Sequence, residues 1–257
     1  MMDTEIKDKE TLKQKELQKE DKKKAQLVKA FENNLKISSL GLPNKYNSFE
    51  YWEYTKSNRL LYEIGLAPDK KYMRYPRGSI IKVDFGVNIG SEFSEQHFAI
   101  TLSKKDTIYN NCIIVIPLTS KKHKNYINLD KLISNSYLNT LQKKVDELQK
   151  EIKEIDIENC EFNPIYVNEI KEIKKVLNYY KSIKENFSYA CIDQIRTISK
   201  LNIIPPMNKY DIVGTFKCPR NIMDTIDKGI IKQYTAIDYR EFTQFINSLN
   251  NNNEKEN

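Results

Sequence analysis

Histidines and cysteines, which often transfer protons, act as nucleophiles or bind metals, are few in this 257-residue chain. They comprise two histidines, His97 and His123, and four cysteines, Cys112, Cys160, Cys191 and Cys218. No two cysteines have the C-x-x-C spacing of a zinc site, so we expect no structural zinc site. We also expect no metal in the candidate site and no cofactor. An imidazole, with a reference pKa of about 6.5, can accept or donate a proton near neutral pH.

His123 belongs to a run of basic residues. Lys121, Lys122 and Lys124 surround it, and Thr119 lies just before them. Such a cluster of cations is suited to following the phosphates of a nucleic acid strand. An ordinary exposed basic loop would have the same composition, and both interpretations remain open.

The formal net charge is +7, and the helical segments described below do not account for it. Residues 1–36 carry +2 and residues 137–187 carry −1, so the remainder carries +6. A positive surface suits a polyanion, although a basic surface without a ligand has the same charge. The charged N-terminus is unlike a signal peptide, and no apolar run reaches the length of a membrane span. We therefore expect a soluble, cytoplasmic protein with no membrane partner.

The N-terminal part is predicted to be helical. Residues 1–36 are rich in Lys, Glu and Gln, which predicts either an exposed helix or a segment that is disordered until a partner binds. A second helix is predicted over Phe49–Ile64. Its apolar residues are spaced to form one buried face: Trp52, Leu60, Leu61 and Ile64.

After Arg77 the pattern changes to strands. Ile81, Val83 and Phe85 alternate with polar residues, which predicts a half-buried strand. Further strands are predicted at Phe98–Ser103, Cys112–Leu118, Tyr126–Leu129, Ser188–Ile192, and near Ile198 and Ile203. A closing helix is predicted over Pro219–Tyr234, where isoleucines recur every four residues.

A helical hairpin is predicted between these strands, over residues 136–187. Apolar residues recur there at alternating spacings of three and four, typical of a coiled-coil seam: Leu138, Leu141, Val145, Leu148, Ile152 and Ile155, then Tyr166, Ile170, Ile173, Leu177 and Tyr180. Asn163-Pro164 separates the two series. Because the two stripes can bury one another, we expect the strands to fold without residues 138–185.

Several segments of the strand region form one ordered pattern, which the closing helix follows. They are Arg77–Phe85, Asn88–Glu92, Phe98–Ile100, Ile116–Ser120 and Asp193–Ile198. In this order they resemble the PemK/MazF toxins, over residues 74–135 and 188–240, a little under half of the chain. The run Gln-Ile-Arg-Thr-Ile, downstream of Pro-Leu-Thr-Ser, is the most specific part.

The resemblance implies an α+β fold, an SH3-like, partly open β-barrel with a C-terminal helix. The implied domains are a helical N-terminal extension at 1–73, a barrel at 74–135 and 188–240, an inserted coiled-coil hairpin at 136–187 and a disordered polar tail at 241–257. The family usually forms homodimers, cleaves single-stranded RNA at short sequences and is neutralised by a cognate antitoxin. The ribose 2′-hydroxyl attacks the adjacent phosphate, so no metal is needed.

The resemblance also implies which residues form the catalytic site. The family has an Arg at the position of His97, and an imidazole there could act as acid or base. Thr119 matches a family threonine whose hydroxyl would donate to a phosphate oxygen, and it could alternatively only cap the strand. Asp193 matches a position that some members use near the phosphate, where it could act as base or orient His97. The Arg that some members have two residues earlier is replaced here by Cys191.

Other matching positions are candidates for RNA binding: Arg77, Ser91, Glu92, Ser120, Lys121, Lys122, His123, Gln194 and Arg196. For Arg77 a structural salt bridge is an equal alternative, and for Gln194 so is bonding to the backbone. Arg196 is expected to hold the fold or contact the RNA backbone. A barrel of the CcdB type, which acts by protein contact, and a degenerate, inert barrel are the competing functions.

Overall fold

The computed structural model describes residues 2–41, 44–65, 71–129, 132–158, 164–182, 189–236 and 244. The chain forms two compact units, Met1–Ile64 and Gly65–Asn257. Within the described residues, no helix is both long and apolar enough to cross a membrane. The predicted tail at 241–257 and the break at Asn163 lie outside the described residues, apart from Gln244.

The first unit contains helix α1, Met2–Ser39, a 3₁₀ turn at Asn44–Ser48 and helix α2, Phe49–Ile64. The two predicted helices are confirmed, but the predicted buried face of α2 is not. Leu60, Leu61 and Ile64 are 52%, 69% and 83% exposed. Trp52 is half-buried beneath the guanidinium of Arg59. Spacing alone could not predict this, because it identifies a face and not what covers it.

The second unit combines helices with one antiparallel sheet. Its elements, in chain order, are β1 (Ile80–Asp84), β2 (Gln96–Thr101), β3 (Cys112–Thr119), β4 (Ile127–Asn128), α3 (Leu132–Glu158), α4 (Pro164–Ser182), β5 (Tyr189–Ala190), β6 (Arg196–Ser199), β7 (Ile203–Ile204) and α5 (Arg220–Tyr234). The predicted strands, the two hairpin helices and the closing helix are all present. The expected α+β class is confirmed at this level.

Strand β3 is central because both of its edges are paired. One edge pairs with β2, which in turn pairs with β1, and β1 pairs with β7. The other edge pairs with β6 over Cys112–Val115 and with β5 over Leu118 and Thr119. Strand β4 pairs with the far edge of β5.

The short connection between β6 and β7 forces the sheet to curl. In a flat sheet these strands would be four strand spacings apart, about 19 Å, because β3, β2 and β1 lie between them. Only the 3₁₀ turn Lys200–Asn202 joins them, and four peptide units span at most about 14 Å. The sheet is therefore strongly curved. It is also open, since among the strands that the structure describes no pairing joins β6 to β7.

Alternation along β2 and β3 directs side chains into two cores. Phe98, Ile100, Ile116 and Leu118 face a core that α3, α4 and α5 complete. Residues of opposite parity face a second core, which lies on the other side of the sheet: Ile81, Val83, Ala99, Ile113, Val115 and Ile198. A one-residue shift in register would exchange the two sets, so burial on both faces specifies the register strongly.

Asp211 joins the helical hairpin to the sheet. Its buried carboxylate accepts hydrogen bonds from Tyr137 of α3 at 2.9 Å and Tyr180 of α4 at 3.0 Å. The backbone N–H groups of Met207 and Val213 also donate to it, at 2.9 and 3.0 Å. Both tyrosines pack in the same core as the sheet. The hairpin helices thus bury themselves against the sheet as well as against each other, which argues against the expectation that the strands fold without residues 138–185.

We expect Asp211→Ala to lower the free energy of unfolding by about 3 kcal/mol or more. The substitution leaves three buried donors and the part-buried N–H of Met207 without their acceptor, and each unsatisfied buried group costs about 1–3 kcal/mol. Urea denaturation followed by circular dichroism measures the change. Asp224→Ala, at an exposed position of α5, is the matched control. Equal losses in the two variants would contradict the proposed role of Asp211.

The same cluster predicts loss of stability at alkaline pH. Burial, together with Asp211, raises the pKa of both Tyr137 and Tyr180 far above the ordinary value. Tyrosines of the unfolded chain ionise near pH 10, so this stability is fully present below about pH 10 and is lost as the pH rises further. The unfolding free energy of Tyr137→Phe should fall less steeply above pH 10 than that of wild type. Tyr109→Phe, at an exposed site, should follow wild type.

Candidate functional site

His97 and Thr119 lie side by side at one end of the sheet. Ala99 of β2 pairs with Pro117 of β3, so the continued antiparallel register sets His97 opposite Thr119. Opposite residues in an antiparallel pair project from the same face with Cβ atoms about 5 Å apart. By the alternation of side chains along β2 and β3, both residues are on the face of the sheet that carries the second core, at the end of that core. The two residues that the sequence predicted to act together therefore share one wall.

His97 has an environment that favours the neutral imidazole. Its half-buried ring packs edge-on against Phe93, with centroids 4.4 Å apart, and the carbonyl of Leu118 accepts a hydrogen bond from it. Burial lowers the pKa of His97 most, and the positive charge of Lys121 lowers it further, while Glu95 and the Leu118 carbonyl oppose this. One ring nitrogen thus donates to Leu118, and the other keeps a lone pair that can accept a proton.

Thr119 is buried at the end of β3 and begins the basic loop. Its Oγ1 accepts a hydrogen bond from the N–H of Lys121 at 3.2 Å. A threonine hydroxyl both donates and accepts, so its proton remains able to donate to another acceptor. The two alternatives for Thr119, a cap of the strand end and a donor to a phosphate oxygen, are therefore compatible. Ser120, Lys121 and Lys122 follow as exposed residues of this loop.

The loop between β1 and β2 is held over this end of the sheet. The N–H of Phe93 donates to Gln194 Oε1 at 3.1 Å, and Arg196 donates to the Phe93 carbonyl at 3.2 Å. Arg196 also pairs with Glu92 at 3.0 Å. Glu95, which leads into β2, has a φ of 68°, an uncommon conformation for a residue other than glycine. Gln194 and Arg196 thus hold the loop whose Phe93 ring packs against His97. Ser91 is exposed on the same loop.

Asp193 lies beside His123. It belongs to the 3₁₀ turn Ile192–Gln194, and its Oδ2 is 4.0 Å from His123 Nδ1. Its Oδ1 is buried and has no hydrogen-bond donor among the residues that the structure describes. The sequence interpretation that Asp193 could orient His97 is not supported by a contact in the described residues. The carboxylate faces the other histidine.

Two elements hold the turn that carries Asp193. On the sheet side, the N–H of Cys191 donates to the carbonyl of Pro117 at 2.9 Å. On the other side, the Tyr234 hydroxyl of α5 donates to the carbonyl of Ile192 at 2.6 Å. Gly229 lets α5 approach closely, because an added Cβ there would lie 2.9 Å from Ile192 Cδ1. The position of Asp193 is therefore determined by both the sheet and the closing helix.

Arg77 lies apart from this group. It donates to the carbonyl of Leu102 and forms an ion pair with Asp227 of α5. Leu102 follows the far end of β2, five residues from His97, or about 17 Å along a strand. The structural salt bridge, one of the two alternatives for Arg77, is the contact observed.

Sequence reasoning missed two neighbours of the site, Phe93 and Tyr126, and assigned no contact to Cys191. Phe93 contacts His97, while the Tyr126 ring packs against His123, with centroids 4.9 Å apart. Burial raises the pKa of Tyr126 and of Cys191 to about 12, and the two side chains hydrogen-bond each other. No local pattern marks them, because pairing across strands brings them to the site. Among the described residues, no group of three or more His, Cys, Asp or Glu side chains could hold a metal.

We expect the imidazole of His97 to titrate with a pKa below 6.5. The chain contains two histidines, so nuclear magnetic resonance can follow two Cε1–H signals during a pH titration. His97→Gln removes one of them and assigns it. A His97 signal with a midpoint at or above 6.5 would contradict the burial of the ring described above.

No protein-family model matches the chain, and no curated protein matches it. The function therefore has to be inferred from the residues and the geometry of this site.

Proposed function

We propose that the chain is a metal-independent endoribonuclease of the PemK/MazF type, the toxin of a type II toxin–antitoxin system. The motifs and their order support this proposal. The strongly curved, open antiparallel sheet is compatible with the SH3-like, partly open barrel of that family. The N-terminal helices and the hairpin would be additions to the barrel.

The strand register supports the proposal most directly: the pairing of Ala99 with Pro117, continued by two residues, sets His97 and Thr119 on the same face at the same end of neighbouring strands. Cleavage through the ribose 2′-hydroxyl needs a base for the 2′ proton and donors for the charge on the phosphate. Neutral His97, with one nitrogen bonded to Leu118, would supply the base. The hydroxyl of Thr119 would donate to a phosphate oxygen.

Replacement of the family's arginine by His97 changes which group supplies positive charge. A guanidinium is always cationic, whereas half-buried His97 favours its neutral form. The exposed lysines Lys121 and Lys122 follow Thr119 directly and would interact with the phosphate instead. The net charge of +7 is consistent with a polyanionic substrate.

The proposal implies particular partners and a location. The substrate would be single-stranded RNA, and DNA would resist cleavage because it lacks the attacking hydroxyl. A cognate antitoxin would dock in the same groove and exclude RNA from it. The active form would be a homodimer in the cytoplasm, as in the family that the sequence resembles.

We expect purified protein to cleave long single-stranded RNA in the presence of EDTA. His97→Ala should slow cleavage by about 10²–10⁴-fold, the usual contribution of one acid–base group. Products should end in a 2′,3′-cyclic phosphate and a 5′-hydroxyl, which sequencing and end-labelling detect. DNA of the same sequence should remain intact.

The matched control is Lys105→Gln, at an exposed position of the loop between β2 and β3, at the opposite end of these strands. It should cleave like wild type. Intact RNA with wild-type protein would favour a binding or inert protein over a nuclease. Cleavage that survives in His97→Ala would exclude His97 as the base.

A further inference from the structure

The chain has two histidines in 257 residues, and the fold brings both to the same end of the sheet. His97 lies opposite Thr119, and the loop that carries His123 begins at Thr119. Lys121 lies between Thr119 and His123 in sequence. Its backbone N–H donates to Thr119 Oγ1, and its positive charge lowers the pKa of His97. Strand β4 then returns the chain to the same sheet, next to β5. Both histidines therefore belong to segments that adjoin Thr119.

The contacts of His123 differ from those of His97, and they suit a proton donor rather than a base. The His123 side chain is 49% exposed and lies 4.0 Å from a carboxylate oxygen of Asp193. A carboxylate at this distance attracts the positive charge of an imidazolium. Nδ1 of His123 also accepts a hydrogen bond from the N–H of Asn125 at 3.4 Å, so protonation of this nitrogen exchanges that bond for the contact with Asp193. The ring is also supported by Tyr126. His97 is instead half-buried and packs against Phe93, and burial lowers its pKa even though Glu95 acts in the opposite direction.

We propose that His123, positioned by Asp193, is the general acid that protonates the leaving 5′ oxygen, while His97 is the base. This inference rests on the proposed nuclease function. The 2′ oxygen forms a bond to phosphorus as the bond from phosphorus to the 5′ oxygen breaks. The 2′ proton goes to the free nitrogen of His97, and the imidazolium of His123 gives its proton to the 5′ oxygen. No oxidant, reductant or metal enters this balance.

Neighbouring groups are poor alternatives for the acid. Burial raises the pKa of Tyr126 to about 12, and its hydroxyl hydrogen-bonds to Cys191. Burial likewise raises the pKa of Cys191 to about 12. Both groups would give up a proton reluctantly near neutral pH. His123 is thus the remaining imidazole in these segments, and its half-exposed ring lies beside the carboxylate of Asp193.

A change of leaving group tests the acid directly. The cleavage site is first mapped on long RNA, and a short RNA is then made with that single scissile linkage. One version has the natural 5′ oxygen, and the other has sulfur in its place. A thiolate leaves without a proton, so the sulfur substrate does not need a general acid.

We expect His123→Gln to cleave the oxygen substrate about 10²–10⁴-fold more slowly than wild type. On the sulfur substrate it should approach the wild-type rate. Asp193→Asn should give a smaller loss, also recovered with sulfur, because it acts through His123. His97→Gln should be slow on both substrates, since the base is still required. Lys105→Gln should match wild type throughout.

The outcomes separate the two proposals. If wild type cleaves neither RNA, the nuclease function fails and this inference fails with it. If wild type cleaves while His123→Gln behaves like Lys105→Gln, only the role of His123 is overturned. Equal slowing of His123→Gln on both substrates would also overturn it, because a loss of binding or folding does not depend on the leaving group. Circular dichroism checks that the exposed substitution leaves the fold intact.

Discussion

The missing N–H group of Pro117 shapes this end of the sheet. Cys191 donates to the Pro117 carbonyl, as a regular antiparallel pair requires. The return bond cannot form because proline has no donor. The Cys191 carbonyl accepts from the N–H of Gln194 instead, at 3.0 Å, and the chain turns. The register of β3 with its partner shifts by three residues between β5 and β6, which equals the length of the 3₁₀ turn that carries Asp193.

This interruption explains why a proline is tolerated in a central strand, where it normally argues against one. Pro117 lies between the part of β3 that pairs with β6 and the part that pairs with β5. The hydrogen bond that Pro117 cannot donate to the Cys191 carbonyl is replaced by the one that Gln194 donates to it. The core on one face continues undisturbed through Ile116 and Leu118. On the other face, the interruption creates a polar site beside Thr119. The candidate site thus lies where the pairing of β3 passes from β6 to β5.

Much of the fold was predictable, because strands and helices follow from local periodicity. The site was predictable only in part. His97 and Thr119 could be identified as candidates, but the pairing of Asp193 with His123, and of Arg77 with Asp227, depends on strands that are distant in sequence. The hairpin shows the same limit. Its spacing predicted two helices, yet the bonds of Tyr137 and Tyr180 to Asp211 depend on a loop that follows β7.

Different surroundings give the two histidines different chemistry although their side chains are identical. Burial lowers the pKa of His97 and favours its neutral form, although Glu95 opposes this, whereas His123 is exposed and lies beside the carboxylate of Asp193. In the proposed reaction Lys121 would serve twice. Its charge lowers the pKa of His97, which keeps the base free of its proton, and the same charge would attract the phosphate. An arginine at position 97 would supply the charge without the base, so the histidine is useful only because a lysine-rich loop starts at Thr119.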